Sequence, residues 1–193
     1  MVLIGIKRQE MNKRCVFLLI ATILIVGCNQ NTPLNPEYIS DGFDFPVGKS
    51  NSDASQYYIA RNFGERYHLG EDWNGLGGGN TDLGDPIYAI SNGYVKSAKN
   101  VGGGWGKTIR IIHKLPNGNQ VESLFAHCNE ILVKKGSRVK KGQKIGTIGT
   151  ASGRYRAHLH FEIRDDINMG IGKGYSKNTK GYLNPTKFIK ANR

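Results

Sequence analysis

The chemistry this chain can do is concentrated in its five histidines, at positions 68, 113, 127, 158 and 160. The richest segment is His158-Leu159-His160-Phe161-Glu162-Ile163. Polar and apolar residues alternate there, which predicts a strand with one face buried. The two-residue period sets His158, His160 and Glu162 on one face and Leu159, Phe161 and Ile163 on the other. Far upstream, Tyr67-His68-Leu69-Gly70-Glu71-Asp72 places His68 and Asp72 on either side of a glycine, read as the residue that lets the chain turn tightly. Two imidazoles and one carboxylate form a ligand set that Zn²⁺ accepts while keeping a coordination position open for water.

The elements that must position these groups read as strands. Short β-rich runs separated by glycine turns fall at 86–90, 93–97, 107–113, 120–126, 144–148 and 158–164. With no amphipathic helix longer than two turns, the pattern predicts an all-β, antiparallel sandwich or barrel-like domain beginning near Phe43. The basic stretch 134–142 reads as a solvated hairpin connection. Gly104-Trp105-Gly106-Lys107-Thr108 looks superficially like the end of a phosphate loop. It leads into the β-branched run 108–112 rather than a helix, so no helix N-terminus is there for phosphate.

The N-terminus points to export. Lys7, Arg8, Lys13 and Arg14 precede an apolar run over 15–26, too short to span a bilayer, which needs about 20 residues. It ends in Ile25-Val26-Gly27-Cys28, which resembles a bacterial lipobox whose cysteine is lipidated. The expected organisation is therefore a signal peptide over 1–27, a lipidated flexible tether over 28–40 and a catalytic domain over 41–193. The 12 residues 29–40, polar and carrying Pro33 and Pro36, reach at most ~40 Å. Cys15 leaves with the leader and Cys28 carries lipid. Cys128 is then left without an intramolecular partner, and its place beside His127 on a strand reads as a buried structural thiol. The formal net charge is +12. For an exported chain this suits anionic envelope polymers or lipid head groups rather than nucleic acid.

Taken together, H-x-G-x-D at 68–72, Phe125-Ala126-His127 and H-x-H at 158–160 resemble the lysostaphin/LytM-type zinc metallopeptidases, which cut peptide bonds in bacterial peptidoglycan. The resemblance extends to 62–72, 84–95, 139–146 and 158–163, nearly the whole domain. It implies a LytM-type duplicated hybrid motif, with long loops framing a cleft for one zinc ion. It also implies His68, Asp72 and His160 as zinc ligands, with His127 and His158 facing the activated water and the scissile carbonyl. Glu162 is read either as a carboxylate supporting one of these histidines or as a structural one. His113, outside any metal spacing, reads as structural or as support for the site. In place of the family's Thr-Gly-Pro-like stretch stands Ala151-Ser-Gly-Arg-Tyr-Arg-Ala157, expected at the cleft rim and able to shift substrate preference. The polar segment 165–182 is a second expected rim loop.

The leading expectation is an envelope-anchored zinc endopeptidase acting on peptidoglycan stem or cross-bridge peptides. Its membrane contact is the N-terminal lipid, and no obligate protein partner is expected. A catalytically silent domain that activates another wall hydrolase is the second reading, and a secreted protease acting on protein the third.

Overall fold

The computed structural model describes residues 38–48 and 54–193. The leader, Cys28 and most of the tether lie outside the described residues. Residues 38–40, assigned from sequence to the tether, are held against the domain. Ile39 bridges Lys114, Ser40 is buried, and Arg138 stacks over Tyr38 at 3.6 Å.

Eleven strands, one 3-10 turn (Glu65–Tyr67) and one short α-helix follow in chain order among the described residues. They are β1 (Tyr57–Arg61), β2 (Glu71–Gly75), β3 (Pro86–Tyr88), β4 (Gly93–Gly102), β5 (Gly106–Lys114) and β6 (Gln120–Cys128). Then come β7 (Glu130–Ile131), β8 (Arg138–Val139), β9 (Lys144–Thr147), β10 (Leu159–Arg164), β11 (Tyr182–Leu183) and α1 (Pro185–Ala191). The main sheet runs β1-β2-β10-β6-β5-β4-β8 with β11 added beside β10, and a smaller sheet runs β3-β9-β7. The pairings are antiparallel. The all-β expectation holds, but the sheets stay open, so the barrel-like alternative does not. The smaller sheet presses on the main one where Gly146 of β9 meets Ile109 of β5, leaving 3.0 Å between that side chain and the place of a Cβ. Ile87, Ile145 and Ile148 thereby join Val95, Ile109, Ile111, Phe125, Leu159 and Phe161 in one apolar core.

The one-face-buried reading of β10 needs correcting, because all six of its residues are buried. Flanked by β2 and β6, with rim loops over its second face, the strand buries its polar side too. That side is a layer of paired charges. Arg110 grips Glu122 through two hydrogen bonds of 2.8 and 3.0 Å, Lys96 reaches Glu122 at 2.9 Å, and Arg164 Nε donates to Glu162 at 2.7 Å. Ion pairs survive burial when partners and hydrogen bonds are this complete.

α1 was not resolved as a separate element by the sequence. Asn184 caps it by accepting from the Lys187 amide, Pro185 takes the first turn, and Ile189 packs into the core. Thr186 donates through both its amide and its hydroxyl to Glu71, which pins the helix start to β2.

His113 is structural, as its isolation in sequence suggested. Its Nδ1 donates to the Asn92 carbonyl at 2.9 Å and its Nε2 accepts from Ser123 at 2.8 Å. Complete burial pushes its pKa down to about 4. A histidine lowered on folding stabilises the fold fully above its unfolded pKa of about 6.5 and loses that contribution as pH falls toward 4. The expected loss is on the order of 3 kcal/mol at 1.36 kcal/mol per unit. Urea unfolding of wild-type and His113→Gln protein from pH 7 to pH 4 checks it. A wild-type stability no more acid-sensitive than the variant's would rule it out.

Candidate metal centre

Three elements deliver the candidate ligands. Asp72 lies on β2, directly opposite His160 on β10 in the antiparallel register. His68 sits just before β2, bridged to Tyr175, at the end of a turn where Arg66 and Tyr67 take left-handed φ values of 48° and 68°. Gly70, between His68 and Asp72, does not have the positive φ of a tight turn. Its role is close approach. A Cβ there would fall 2.5 Å from the Phe161 carbonyl oxygen and 2.8 Å from Glu162, so only glycine lets β10 pass.

The ligand atoms converge. His68 Nε2 lies 2.9 Å from His160 Nδ1, His160 Nδ1 3.0 Å from Asp72 Oδ1, and His68 Nε2 3.2 Å from the same oxygen. A tetrahedral centre with bonds of about 2.0–2.1 Å spaces neighbouring ligands by about 3.3 Å, so this triangle has the size a zinc ion asks for. The tautomers agree. Glu162, buried, accepts from His160 Nε2 at 3.0 Å, which turns Nδ1 toward the centre. His68 Nδ1 is buried without a hydrogen-bond partner, so its ring's polar contact is made through Nε2. Electrostatics point the same way. Burial opposes charge on both groups, yet hydrogen bonds from His160 and His68 hold the Asp72 carboxyl well below the usual range. Against the same burial, bonds to Asp72 and Glu162 raise His160 to about 9. Two carboxylates meeting buried rings make a pocket that favours a cation.

His127 and His158 stand beside this cluster. The His127 ring centroid is 4.7 Å from that of His158 and 5.6 Å from that of His160. His127 ends the regular part of β6 with a left-handed φ of 62°, and its amide donates to the Trp105 carbonyl. Such a conformation is uncommon away from glycine and is stored where the surroundings enforce it. The resulting kink aims the ring into the cleft, buried, with Nδ1 unpartnered. Burial first, then the neighbouring His160 and His158, lower its pKa to about 3. His158 Nδ1 donates to the Arg156 carbonyl at 2.8 Å, so Nε2 faces Asp72 Oδ1 from 3.8 Å. Cys128, the residue after His127, is buried, and burial pushes its thiol up to about 12, which makes it inert as read from sequence.

These groups open into a cleft of about 470 Å³. Tyr155 and Arg156 from segment 151–157 line it, as do Lys173 and Tyr175 from segment 165–182, so both expected rim loops reach it. Trp105 and Arg61 were not anticipated. Trp105 stands edge-on to His160 at 5.3 Å, and Arg61 donates to the Tyr175 hydroxyl at 2.5 Å while lying 3.8 Å from Asp72. An aromatic residue set between glycines, Gly103-Gly104-Trp105-Gly106, was the available signal for the first. Nothing in the sequence marked the second.

Residues 67–177 match the model of Peptidase family M23. The chain belongs to this family. Among its relatives is a lipoprotein, NlpD, of Yersinia enterocolitica, 40% identical over 100 residues that make up 52% of this chain and 91% of that sequence. The murein hydrolase activator NlpD of Escherichia coli is 38% identical over 52% of this chain but only 23% of its own length. The peptidoglycan DD-endopeptidase ShyA of Vibrio cholerae is 35% identical over 42% of this chain and 18% of its own length. The fold matches the antimicrobial peptidase lysostaphin from Staphylococcus simulans with a TM-score of 0.55 and 25% identity, covering 76% of this chain and 53% of that one. The M23 chain described here thus spans a small part of two of these curated relatives.

Proposed function

We propose that this M23 chain is a zinc metallo-endopeptidase that hydrolyses peptide bonds in peptidoglycan stem or cross-bridge peptides. The observation that carries the reading is the completeness of the site. The three ligand atoms converge at one open cleft, which Asp72, His160 and both further imidazoles line while His68 is buried behind it. His68, Asp72 and His160 would hold a zinc ion, which would supply an electrophile for the scissile carbonyl and a water made nucleophilic near neutral pH. The chain's own residues do the rest. His158, locked by the Arg156 carbonyl, presents Nε2 to accept the proton of the attacking water. His127, held by its kinked backbone, faces the same space and can stabilise the developing oxyanion through its ring N–H, while the proton taken up by His158 passes to the leaving amine. Glu162 fixes the His160 ring through Nε2.

The relatives named as murein hydrolase activators favour a second reading, in which the domain binds and switches on another wall hydrolase without cutting bonds itself. A full set of ligands and imidazoles stands against it, because a silent scaffold has no need of the strained His127 backbone. Mass analysis of fragments released from purified sacculi separates the two. New amino and carboxyl ends at one bond are expected with zinc-loaded protein and not after chelation. Intact sacculi in both cases would overturn the wall-peptidase reading and leave the activator and the protein-directed protease.

The envelope anchor belongs to the same proposal. It rests on the basic leader, the apolar run and Gly27-Cys28, and on the lipoprotein among the relatives. Wild-type protein is expected in the membrane fraction with acyl chains on Cys28, and a Cys28→Ser protein without them. A native protein that is soluble and unacylated would make residues 1–27 an ordinary secretory signal.

A further inference from the structure

Two cations on the cleft wall have no task in the chemistry above. Arg61, Arg156 and Lys173 line the cleft, and Asp72 is its one acidic lining residue. Asp72 is committed to His68 and His160. Arg61 is committed as well, to the Tyr175 hydroxyl and the far oxygen of Asp72. Arg156 and Lys173 are exposed, and among the described residues no ion pair or hydrogen bond engages either charged head.

Both side chains leave from backbone that is held in place. The Arg156 carbonyl accepts from His158 Nδ1 at 2.8 Å, and the next amide, Ala157, donates to Asn80 at 2.8 Å. On the other segment, Gly174 accepts from the Leu69 amide at 2.9 Å and packs on the Trp105 ring. Just before it, the carbonyls of Gly170 and Ile171 are each gripped by buried Arg164 at 2.7 Å. One cation therefore issues beside His158 and the other beside the His68 flank, where Tyr175 lies 5.1 Å from the His68 ring. Both line the cleft that a substrate peptide would have to enter.

Resting on the wall-peptidase reading, we propose that Arg156 and Lys173 select substrate peptides carrying a free carboxylate close to the scissile bond, and discriminate against the same peptides with that group amidated. An amide has the shape of a carboxylate but only one acceptor oxygen and no charge. It forfeits the charge-assisted hydrogen bonds that an Arg or Lys head supplies.

The test uses one purified preparation of sacculi, split and assayed before and after carbodiimide-driven conversion of its carboxylates to amides. The purified full chain in detergent is expected to release peptide fragments about 10- to 100-fold more slowly from the amidated wall, the worth of one or two charge-assisted hydrogen bonds. An Arg156→Gln/Lys173→Gln protein should be slow on both walls and nearly indifferent to amidation. A Lys134→Gln/Lys135→Gln protein removes the same charge from two exposed positions just before β8 and should keep the wild-type preference. Equal wild-type rates on the two walls overturn the proposal. So does an Arg156→Gln/Lys173→Gln protein that keeps full sensitivity, since bulk positive charge would then explain the effect. If neither wall is cut, the endopeptidase reading fails separately. Co-sedimentation of the same three proteins with the two walls then decides carboxylate selection, with the same pattern expected in the bound fraction.

Discussion

A His158→Ala protein is expected to keep its zinc and lose about 10²–10⁴-fold in kcat, the usual worth of a positioned proton-transfer group. A His160→Ala protein is expected to lose zinc and activity together. The two residues share a short motif, and the structure separates their work. His160 sits on β10 opposite Asp72, with Nδ1 3.0 Å from that carboxylate and Nε2 engaged by Glu162, so both nitrogens are used in the cluster. His158 lies one residue before the strand, where its backbone bridges Gly149 and its Nδ1 is held by the Arg156 carbonyl. Its remaining nitrogen stays 3.8 Å from Asp72, too far to complete the triangle but inside the cleft. His127→Ala should resemble His158→Ala, because no nitrogen of His127 belongs to the ligand group. Metal content by atomic emission, beside single-turnover rates on sacculi, reads both quantities at once. Zinc lost from His158→Ala and kept by His160→Ala would mean the roles are exchanged.

The clustering of His68, Asp72 and His160 was legible because each member sits in a short motif whose local geometry the sequence controls. H-x-H on an alternating strand fixes which two imidazoles share a face. What surrounds the set was less legible. β2 carries Asp72, yet Glu-Asp-Trp-Asn-Gly shows neither alternation nor a β-branched run. It is a strand because Leu159 and His160 pair with Trp73 and Asp72. Arg61 and Trp105 reach the cleft from β1 and from the β4–β5 turn, through pairings no local pattern encodes. Gly70 was legible as a constraint but not in its kind, since close approach of a strand that comes 90 residues later leaves no mark near position 70. The choice left open for Glu162 is resolved by burial. A carboxylate with no exposed surface needs partners, and it has His160 on one side and Arg164 on the other.

That second partner sets up the other large effect. Arg164→Met is expected to destabilise the zinc-loaded domain by about 3–5 kcal/mol, the range for removing one member of a buried ion pair. Arg164 is fully buried at the end of β10. It gives Nε to Glu162 at 2.7 Å and lies 3.6 Å from Glu122, while its other nitrogens donate to the Gly170 and Ile171 carbonyls. Methionine fills the space but leaves Glu162 with a buried charge and two carbonyls without donors. The carboxylate's desolvation is then balanced by His160 alone. Arg110 still holds the Met169 carbonyl at 2.6 Å, and Lys96 still reaches that of Ile167, so the loop is loosened rather than released. Urea midpoints give the stability, and a fall in Tm of about 10 °C or more is the matching thermal result for a domain of this size. Lys at 164 keeps the charge but lacks the planar fork that meets Glu162 and two carbonyls together, so Arg164→Lys should fall between wild type and Arg164→Met. The loop that Arg164 grips carries Lys173 and Tyr175 into the cleft, and the Glu162 it pairs with orients His160, a candidate zinc ligand. KM on sacculi should therefore rise in Arg164→Lys at temperatures where the protein is fully folded. A Lys variant with wild-type KM and wild-type zinc affinity would confine Arg164 to stability and detach the loop from the metal centre.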